Sequence, residues 1–293
     1  MGLTVDSKIL VTGGAGFIGS HLCELLINSG YINVFSLDNN STGSEENHIA
    51  GVTYLHGDTA SIDSLVKFSP DIVFHLGEYS RVERSFLDLD KVWESNSFGT
   101  FRVLQFCLKH AAKLVYAGSS TKFADHGLGP TQSPYGWIKS SNTELIKSFG
   151  DWFELKYAIV YFYNAYGGRE LGVGDYATVI GIFSRQIREG ESLKVVRPGS
   201  QLRNFTHVGD IVSGLKLVGE LGVGDGYGIG HDKSWSVLDA AKLFGAEIEM
   251  LPERNGNRMG GDLVVTKTKA LGWKAEIDLS DYVASLNIDT LKN

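Results

Sequence analysis

The first two-thirds of the chain alternates short apolar runs with longer amphipathic stretches. This alternation is typical of βαβ units, in which a helix returns the chain to the start of the next parallel strand. Strands are predicted at 8–12, 33–37, 52–57, 71–76, 113–118 and 155–162, and helices are predicted to begin near Phe17, Ile62, Asp90 and Pro134. We therefore expect an α/β fold with a Rossmann-type doubly wound parallel sheet.

A glycine-rich segment follows the first predicted strand directly. It places Gly13, Gly16 and Gly19 of TGGAGFIGSHL between that strand and an amphipathic helix. Glycine permits a tight turn and close approach to a pyrophosphate, and the helix N-terminus attracts the anion. Asp38 ends the next strand, where it can accept hydrogen bonds from ribose hydroxyls and would repel a 2′-phosphate. The pattern predicts a site for NAD rather than NADP; Asp58 is an adenine contact or a turn cap.

The alternating rhythm breaks after about Asn164, where glycine-rich connections separate short elements. We expect an NAD-binding Rossmann domain over residues 1–163, with its sheet continuing into later segments. A smaller C-terminal α/β substrate-binding region is expected over residues 164–293. No internal repeat or low-complexity linker marks the boundary, so the sequence does not define its position sharply.

Composition narrows the function. A chain of 293 residues that is 43% hydrophobic can bury a full core. A formal net charge of -7 without a basic run argues against a nucleic-acid surface, although a local basic pocket could hold a small anion. Cys23 and Cys107 lie in apolar helical patterns and are expected to be reduced core residues rather than a disulfide or metal pair. With no membrane-length apolar stretch or signal pattern, we expect a soluble cytoplasmic protein.

A tyrosine and a lysine stand one helical turn apart in the segment SPYGWIKSSN. Ser133 suits an N-cap and Pro134 the first helical position, so Tyr135 and Lys139 would share one face at the start of a helix. The ammonium and the helix dipole both favour a phenolate there. Alone, this spacing also fits an ordinary amphipathic helix. Ser119 ends a strand at the rim where ligands bind in doubly wound folds, and the three side chains together form a proton-transfer set for alcohol and ketone chemistry.

With these residues assembled, the chain resembles the extended short-chain dehydrogenase/reductase superfamily. Within it, the chain is similar to the NAD-dependent sugar-nucleotide epimerases and dehydratases, the family of UDP-glucose 4-epimerase. The resemblance covers about residues 8–220. It rests on TGGAGFIGSHL, DNNSTG, VFHLGEYSRVERS, NSFGT, the strand-end serines, PYGWIK, YNAYGGRE and GSQLRNFTHVGDI.

The resemblance implies a role for each matched residue. Tyr135 would be the base, Lys139 would hold the nicotinamide ribose and favour the phenolate, and Ser119 would be the catalytic hydroxyl. Asn96 would be structural. The implied NAD contacts are Gly13, Gly16, Phe17, Ile18, Gly19, Asp38, Asn39, Asp58, Thr59, Leu76 and Lys139. The implied substrate contacts are Ser120, Thr121, Asn164, Arg203, Glu78, Arg81 and Arg258.

The residues beside Ser119 narrow the implied chemistry. Dehydratases of this superfamily carry an Asp-Glu pair there and decarboxylases a nearby glutamate, whereas this chain has Ser120 and Thr121. The resemblance therefore implies hydride transfer from C4 of a nucleotide-diphosphate sugar, most simply a UDP-sugar, and return of hydride to the other face of a 4-keto intermediate. Two alternatives stay open: a net oxidoreductase or other epimerase acting on a GDP- or CDP-sugar, and a non-catalytic NAD-binding protein.

Several features depart from the family pattern. Ser119 and Tyr135 are unusually close in sequence, and Glu78 and Arg81 replace small or neutral residues. Glu78 could be an extra acid/base, a hydroxyl ligand, or the ion-pair partner of Arg81 or Arg84. The family also implies a homodimer formed by helices near 90–110 and 135–150. The apolar residues that permit this interface, and that would serve equally well as core, are Val92, Leu104, Ile138 and Leu145.

Overall fold

The computed structural model describes residues 2–123, 129–174, 176–253 and 259–286. Its strands are β1 Lys8–Thr12, β2 Asn33–Asp38, β3 Val52–His56, β4 Ile72–His75, β5 Lys113–Ser119, β6 Tyr157–Phe162, β7 Ala165–Tyr166, β8 Leu193–Val196, β9 Leu202–Arg203, β10 Thr206–His207, β11 Gly224–Ile229, β12 Trp235–Ser236 and β13 Ile248–Leu251. Its α-helices are α1 Phe17–Asn28, α2 Ile62–Leu65, α3 Leu89–Val92, α4 Gly99–His110, α5 Pro134–Phe153, α6 Val179–Arg188, α7 Val208–Leu221, α8 Val237–Lys242, α9 Thr266–Ala270 and α10 Leu279–Ser285.

Seven strands form one parallel sheet in the order β3-β2-β1-β4-β5-β6-β11. The predicted doubly wound fold is confirmed, because the order reverses direction between β1 and β4 as in dinucleotide-binding sheets. All six predicted strands are present with their ends within two residues of the prediction, and the helix predicted near Asp90 begins at Leu89. The last strand comes from residues 224–229, so the sheet does extend beyond residue 163.

The sheet is buried on both faces, which explains why its central strands are apolar without alternation. Residues 9–12 of β1 and every residue of β4 are buried. On one face, α1 and α7 pack through a cluster that includes Leu22, Leu26, Ile211 and Leu215. On the other face, α4 and α5 contribute Val103, Phe106, Ile146 and Phe149.

The helix that leaves the β4 connection contains a π segment, Trp93–Phe98, between α3 and α4. This segment carries Asn96, which is fully buried and bonds the backbone of Tyr79 twice: its Oδ1 accepts from the Tyr79 N–H at 2.7 Å, and its Nδ2 donates to the Tyr79 carbonyl at 2.8 Å. The Ser95 hydroxyl accepts from the same N–H at 3.0 Å. The predicted structural role of Asn96 is therefore confirmed: it fixes the loop after β4, and π segments commonly occur beside functional sites.

A smaller lobe follows β6. Its core packs α6, α8 and α10 against the two-stranded pairing of β8 and β13, with Phe183, Phe244 and Leu279 buried at the centre. Short pairs of strands, β7 with β10 and β9 with β12, connect this lobe to the carboxyl end of β6. Across the ranges given above, no helix is long and apolar enough to cross a bilayer.

The four residues proposed for a dimer interface are core residues instead. Val92, Leu104 and Ile138 are at most 3% exposed. Leu104 belongs to the core that α4 and α5 form with the sheet, and Leu145 packs against it. Val92 and Ile138 pack with Tyr79 in a separate small cluster. The outer surface of these helices carries different apolar residues, which we call the aromatic face: Leu89, Trp93, Phe98, Phe101, Trp137, Trp152 and Phe153.

The loop between β7 and α6 is held by a buried carboxylate. Glu170 accepts a hydrogen bond from the Gly167 N–H at 3.2 Å and another from the Thr178 hydroxyl, which in turn caps α6 by accepting from the Gly181 N–H at 3.1 Å. Burial raises the pKa of Glu170 to about 7 despite these bonds. The folded protein therefore favours protonated Glu170, and this contribution to stability is present below pH 4.5 and is lost as pH rises through about 7.

We predict that Glu170→Gln removes this loss. We compare the free energy of unfolding of the variant with that of wild type at two pH values. The difference should shift in favour of the variant between pH 4.5 and pH 8, by an amount on the order of 2 kcal/mol. Urea denaturation of both proteins across this pH range measures the difference. The control Glu247→Gln alters an exposed glutamate in the same lobe and should leave the pH dependence unchanged. Parallel stability curves for wild type and Glu170→Gln would contradict the prediction.

Candidate active site

The glycine loop between β1 and α1 forms a cradle that side chains would fill. Gly13 has a φ of +77°, and a Cβ there would lie 2.8 Å from the backbone of Gly77. A Cβ on Gly19 would lie 2.0 Å from the carbonyl oxygen of Gly13. The N-cap of α1 is Gly16, which offers no capping side chain, and the first turn, which contains Phe17 and Ile18, carries no acid. The N–H groups of this turn therefore suit a pyrophosphate.

The acid at the end of β2 fixes the shape of this loop. Asp38 Oδ2 accepts from the Ala15 N–H at 2.9 Å, and its Oδ1 accepts from the Asn40 N–H at 2.8 Å. On the neighbouring strand end, Asn39 Nδ2 donates to Asp58 Oδ1 at 2.5 Å. The predicted ribose and adenine residues thus lie at the carboxyl ends of β2 and β3, on the same rim as the glycine loop.

The remaining predicted cofactor residues line the next two strand ends. Thr59 is buried, and its hydroxyl lies so close to Gly99 that a Cβ at that position would clash with it. Leu76 follows β4, and its N–H donates to the Thr12 carbonyl and hydroxyl, each at 3.2 Å. Beneath it, His75 bridges the hydroxyls of Thr12 and Thr100. Burial lowers the pKa of His75 to about 4, so this ring is neutral and structural at neutral pH.

The three predicted catalytic residues come from two neighbouring elements. Ser119 ends β5, and its Oγ accepts hydrogen bonds from the Thr121 hydroxyl at 2.9 Å and the Thr121 N–H at 3.3 Å. Ser120 and Thr121 form the 3₁₀ turn that follows. As predicted, α5 begins at Pro134 with Ser133 as N-cap, whose Oγ accepts from the Gly136 N–H at 3.0 Å. Tyr135 therefore lies in the first turn, one turn before Lys139.

Lys139 is bound on its inner side by Glu78. Its ammonium donates to the Glu78 carboxylate and to the Ala117 carbonyl, and the two side chains are only 5% and 4% exposed. The other Glu78 oxygen accepts from the Thr100 hydroxyl at 2.7 Å and the Tyr116 hydroxyl at 3.2 Å. The carboxylate is thus enclosed by protein groups beneath the site.

The pairing of Glu78 with Arg81 or Arg84 is therefore wrong. The Glu78 side chain points inward, between the β4 loop and α5, because the Lys139 ammonium lies there without another carboxylate. Arg84 instead pairs with Asp88, with Nε at 3.6 Å from Oδ2. Glu78 pairs with Lys139 instead, and its carboxylate also accepts hydrogen bonds from the Thr100 and Tyr116 hydroxyls.

This pairing decides the charge of Lys139. Burial alone would lower the pKa of Lys139, but the Glu78 carboxylate and the Tyr116 and Tyr135 hydroxyls together outweigh burial and raise it. Lys139 is therefore an ammonium throughout the neutral range. An ammonium has three N–H groups, and Glu78 and the Ala117 carbonyl accept two of them.

The predicted substrate residues are placed less completely. Asn164 follows β6 with a φ of +37°, and its carbonyl accepts from the Thr206 N–H at 3.1 Å, so it lies on the same rim as Ser119. Arg203 lies on β9, where its Nη1 donates to the Leu202 carbonyl at 2.8 Å. Arg81 lies with its guanidinium carbon 5.7 Å from the ring centre of Tyr176. Arg258 lies outside the described residues.

The structure adds residues that the sequence patterns did not identify. Asn142 Nδ2 lies within hydrogen-bonding distance of the Asn96 carbonyl (2.7 Å), the Tyr116 hydroxyl (3.2 Å) and Glu78 Oε1 (3.3 Å). The sequence feature that could have identified Asn142 is its position three residues after Lys139, on the same helical face. Tyr116 resembled an ordinary strand residue. Tyr176 lies in a glycine-rich loop and had no signal.

The parallel sheet, the glycine cradle and the Ser-Tyr-Lys set define an NAD-binding enzyme of the extended short-chain dehydrogenase/reductase class. The model of the NAD dependent epimerase/dehydratase family matches residues 9–230, and the chain belongs to this family. The predicted NAD cofactor and the predicted enzyme of the epimerase type are thereby confirmed.

Three similar proteins cover nearly the whole chain. A putative UDP-glucose 4-epimerase of Methanocaldococcus jannaschii is 30% identical over 97% of this chain and 98% of its own length. The Thermus thermophilus UDP-glucose 4-epimerase, solved with NAD, has a TM-score of 0.86 at 26% identity and covers 98% of this chain and 99% of its own. The Thermotoga maritima UDP-glucose 4-epimerase, solved with UDP-glucose, has a TM-score of 0.87 at 28% identity and covers 96% and 97%.

We predict that Glu78→Gln destabilises the protein. The variant keeps the shape of the side chain but leaves the Lys139 ammonium buried without a carboxylate, which should lower the free energy of unfolding by about 3 kcal/mol. Chemical denaturation at neutral pH measures the change. The control Glu46→Gln removes an exposed carboxylate and should stay within about 0.5 kcal/mol of wild type. A Glu78→Gln protein as stable as that control would contradict the prediction.

Proposed function

We propose that this enzyme epimerises a nucleotide-diphosphate sugar at C4 through a transient 4-keto sugar. The observation that carries the proposal is the arrangement of Tyr135 and Lys139 on the first two turns of α5, beside the Ser119 strand end and the glycine cradle. The permanent charge of Lys139 is the second element, because a phenolate base near neutral pH requires a neighbouring cation.

Each residue of the set has a distinct task. Tyr135, as phenolate, removes the proton of the sugar C4 hydroxyl. Ser119 hydrogen-bonds the same oxygen, which keeps it placed as it becomes a carbonyl. Lys139 stabilises the phenolate and orients a ribose hydroxyl through its remaining N–H. NAD, when bound in the cradle, supplies the hydride acceptor and donor, so no net oxidation results. Inversion then requires that the keto sugar present its opposite face before Tyr135 returns the proton.

The surroundings of Ser119 favour epimerisation over elimination or decarboxylation. Those reactions need an additional acid or base beside the sugar, and the turn at residues 120–123 carries no carboxylate. The Glu78 carboxylate pairs with Lys139 and accepts hydrogen bonds from the Thr100 and Tyr116 hydroxyls. It supports the lysine, and its side chain is only 4% exposed.

The nucleotide is proposed to lie across the smaller lobe. Asn164 and Arg203 are the candidate contacts, with residues 164–293 as the substrate-binding region. UDP is the first nucleotide to test, since the relatives described above are UDP-glucose 4-epimerases by name. We also place the enzyme in the cytoplasm, where the buried free cysteines Cys23 and Cys107 would stay reduced.

The substrate and the base can be tested together. Incubation with a panel of UDP-, GDP- and CDP-sugars, followed by mass spectrometry and proton NMR, should give a product of unchanged mass with an inverted ring proton. Tyr135→Phe should lose roughly 100- to 10,000-fold in kcat, because proton removal is lost, while NAD affinity is retained. The control Tyr31→Phe removes a hydroxyl that bonds Glu220, and it should retain activity.

Other outcomes discriminate the alternatives. Accumulation of free NADH with an oxidised sugar would show a net oxidoreductase. Binding of NAD without conversion of any sugar in the panel would favour a non-catalytic protein. An undiminished Tyr135→Phe variant would remove Tyr135 as the base.

We further propose that a second copy of the chain covers the aromatic face. Trp93 and Trp137 are 54% and 52% exposed and stack with ring centres 6.4 Å apart. They border a groove of about 340 Å³ lined also by Leu89, Asp90, Pro134 and Ile138. Apolar exposure of this extent, on two long helices, is typical of an interface.

Trp137→Glu should therefore convert a dimer into a monomer, because it places a carboxylate in an apolar contact. Light scattering after gel filtration at micromolar concentration measures the mass. The control Val223→Glu changes an apolar residue that is 77% exposed on a loop far from this face and should remain dimeric. A wild-type protein that is monomeric at these concentrations would overturn the proposal.

A further inference from the structure

Arg81 is a cation near the candidate base for which the described residues provide no ion-pair partner. It lies on the loop between β4 and the 3₁₀ turn Glu83–Phe86, half-buried, and its Nε is shielded from solvent without a hydrogen bond. In the described part of the chain, no carboxylate forms an ion pair with its guanidinium, whose carbon lies 5.7 Å from the ring centre of Tyr176.

The nearby carboxylates are already engaged by other groups. Asp88 pairs with Arg84 at 3.6 Å and with Lys91 at 3.8 Å, and it accepts the Tyr79 hydroxyl at 3.0 Å. Glu78 forms the buried ion pair with Lys139. Glu83, the other acid of this loop, is exposed. A shielded guanidinium without a carboxylate is unfavourable unless a ligand supplies the charge.

The groups around Arg81 include the tyrosine that is the candidate base. Burial lowers the pKa of Arg81, and electrostatic influences from Tyr135 and Tyr176, then from Glu83 and Tyr79, oppose that shift. Tyr79 and Tyr176 meet edge to face, 5.7 Å apart, and pack with Tyr135 in one cluster. Arg81 therefore shares its surroundings with the base that would receive the C4 hydroxyl.

The position relative to the base limits which anion can reach Arg81. In a sugar nucleotide the diphosphate is attached to C1, across the ring from C4, whereas C6 is attached to C5, directly beside C4. An anion near the C4 hydroxyl is therefore carried by a carbon next to C4, and a C6 carboxylate is the one attached directly to the ring. A guanidinium presents two parallel N–H donors that match the two oxygens of a carboxylate.

We propose that Arg81 binds a carboxylate on the sugar ring, so that the substrate class is a nucleotide-linked uronic acid rather than a neutral hexose. This inference rests on the proposed function for the location of the sugar. The tyrosine cluster supplies the wall of the subsite, and Arg81 supplies its charge.

The test compares matched neutral and uronic sugars on one nucleotide, first UDP-glucose and UDP-glucuronic acid. Calorimetry on the NAD-loaded protein gives each Kd, and NMR gives each kcat/KM. Wild type should bind UDP-glucuronic acid more tightly. Arg81→Gln should weaken that binding roughly 100-fold while changing UDP-glucose by less than about threefold, because only the carboxylate loses a charged partner.

Two further variants keep the test interpretable. Arg81→Lys retains the charge without the paired donors and should lose an intermediate amount, which also covers the case in which Arg81→Gln does not fold. The control Arg188→Gln removes an exposed arginine of α6 and should leave both affinities unchanged.

Each contrary result has a defined meaning. If Arg81→Gln weakens the binding of both sugar nucleotides equally, or the binding of UDP alone, Arg81 contacts the diphosphate. If the variant weakens NAD binding, Arg81 contacts the cofactor. Either result overturns the inference. Preference of wild type for UDP-glucose overturns it as well but leaves epimerisation intact. Preferred binding of UDP-glucuronic acid that depends on Arg81, with loss of carbon dioxide instead of inversion, would support the subsite and refute the proposed reaction.

Discussion

The buried ion pair between Lys139 and Glu78 is the interaction on which the site depends. An ammonium cannot be held away from water without a charge to oppose it. Here the opposing carboxylate comes from the loop after β4, and the carbonyl of Ala117 comes from the neighbouring β5. The pair therefore joins two strand ends to the start of α5. The charge of Lys139 and the placement of Tyr135 follow from the same contact.

Glu78 is itself fixed by a second layer of polar groups. Thr100 and Tyr116 donate to it, and Asn142 lies 3.3 Å from the same oxygen. Asn96 holds the backbone of Tyr79, the next residue along the loop, and the π segment brings Asn96 to that position. A neutral residue at position 78 would not need the bonds from Thr100 and Tyr116, whereas the Asn96 bonds serve the loop backbone in either case.

The two cations of the site, Lys139 and Arg81, differ in whether the protein supplies a counter-charge. Lys139 has its counter-charge within the protein, so that its role is constant whatever is bound. Arg81 has none among the described residues and faces the tyrosine cluster. In the proposed function, Lys139 serves the chemistry common to all substrates, and Arg81 selects among them. This division follows from burial: the lower layer excludes ligands, whereas the upper layer borders the space in which a sugar would lie.

The sequence by itself determined the sheet, the glycine cradle and the spacing of Tyr135 and Lys139. These are local features, because strand and helix periodicity, the Ser133 cap and the steric demand at Gly13 act over a few residues. It did not determine the partner of Glu78, for which Arg81 and Arg84 were near in sequence and Lys139 was 61 residues away. It also did not show which side of α4 and α5 is covered, since Val92 and Trp93 are adjacent apolar residues of opposite exposure. Only the tertiary structure decided these points, because the side on which a charge or an aromatic ring is buried depends on what the distant chain packs against it.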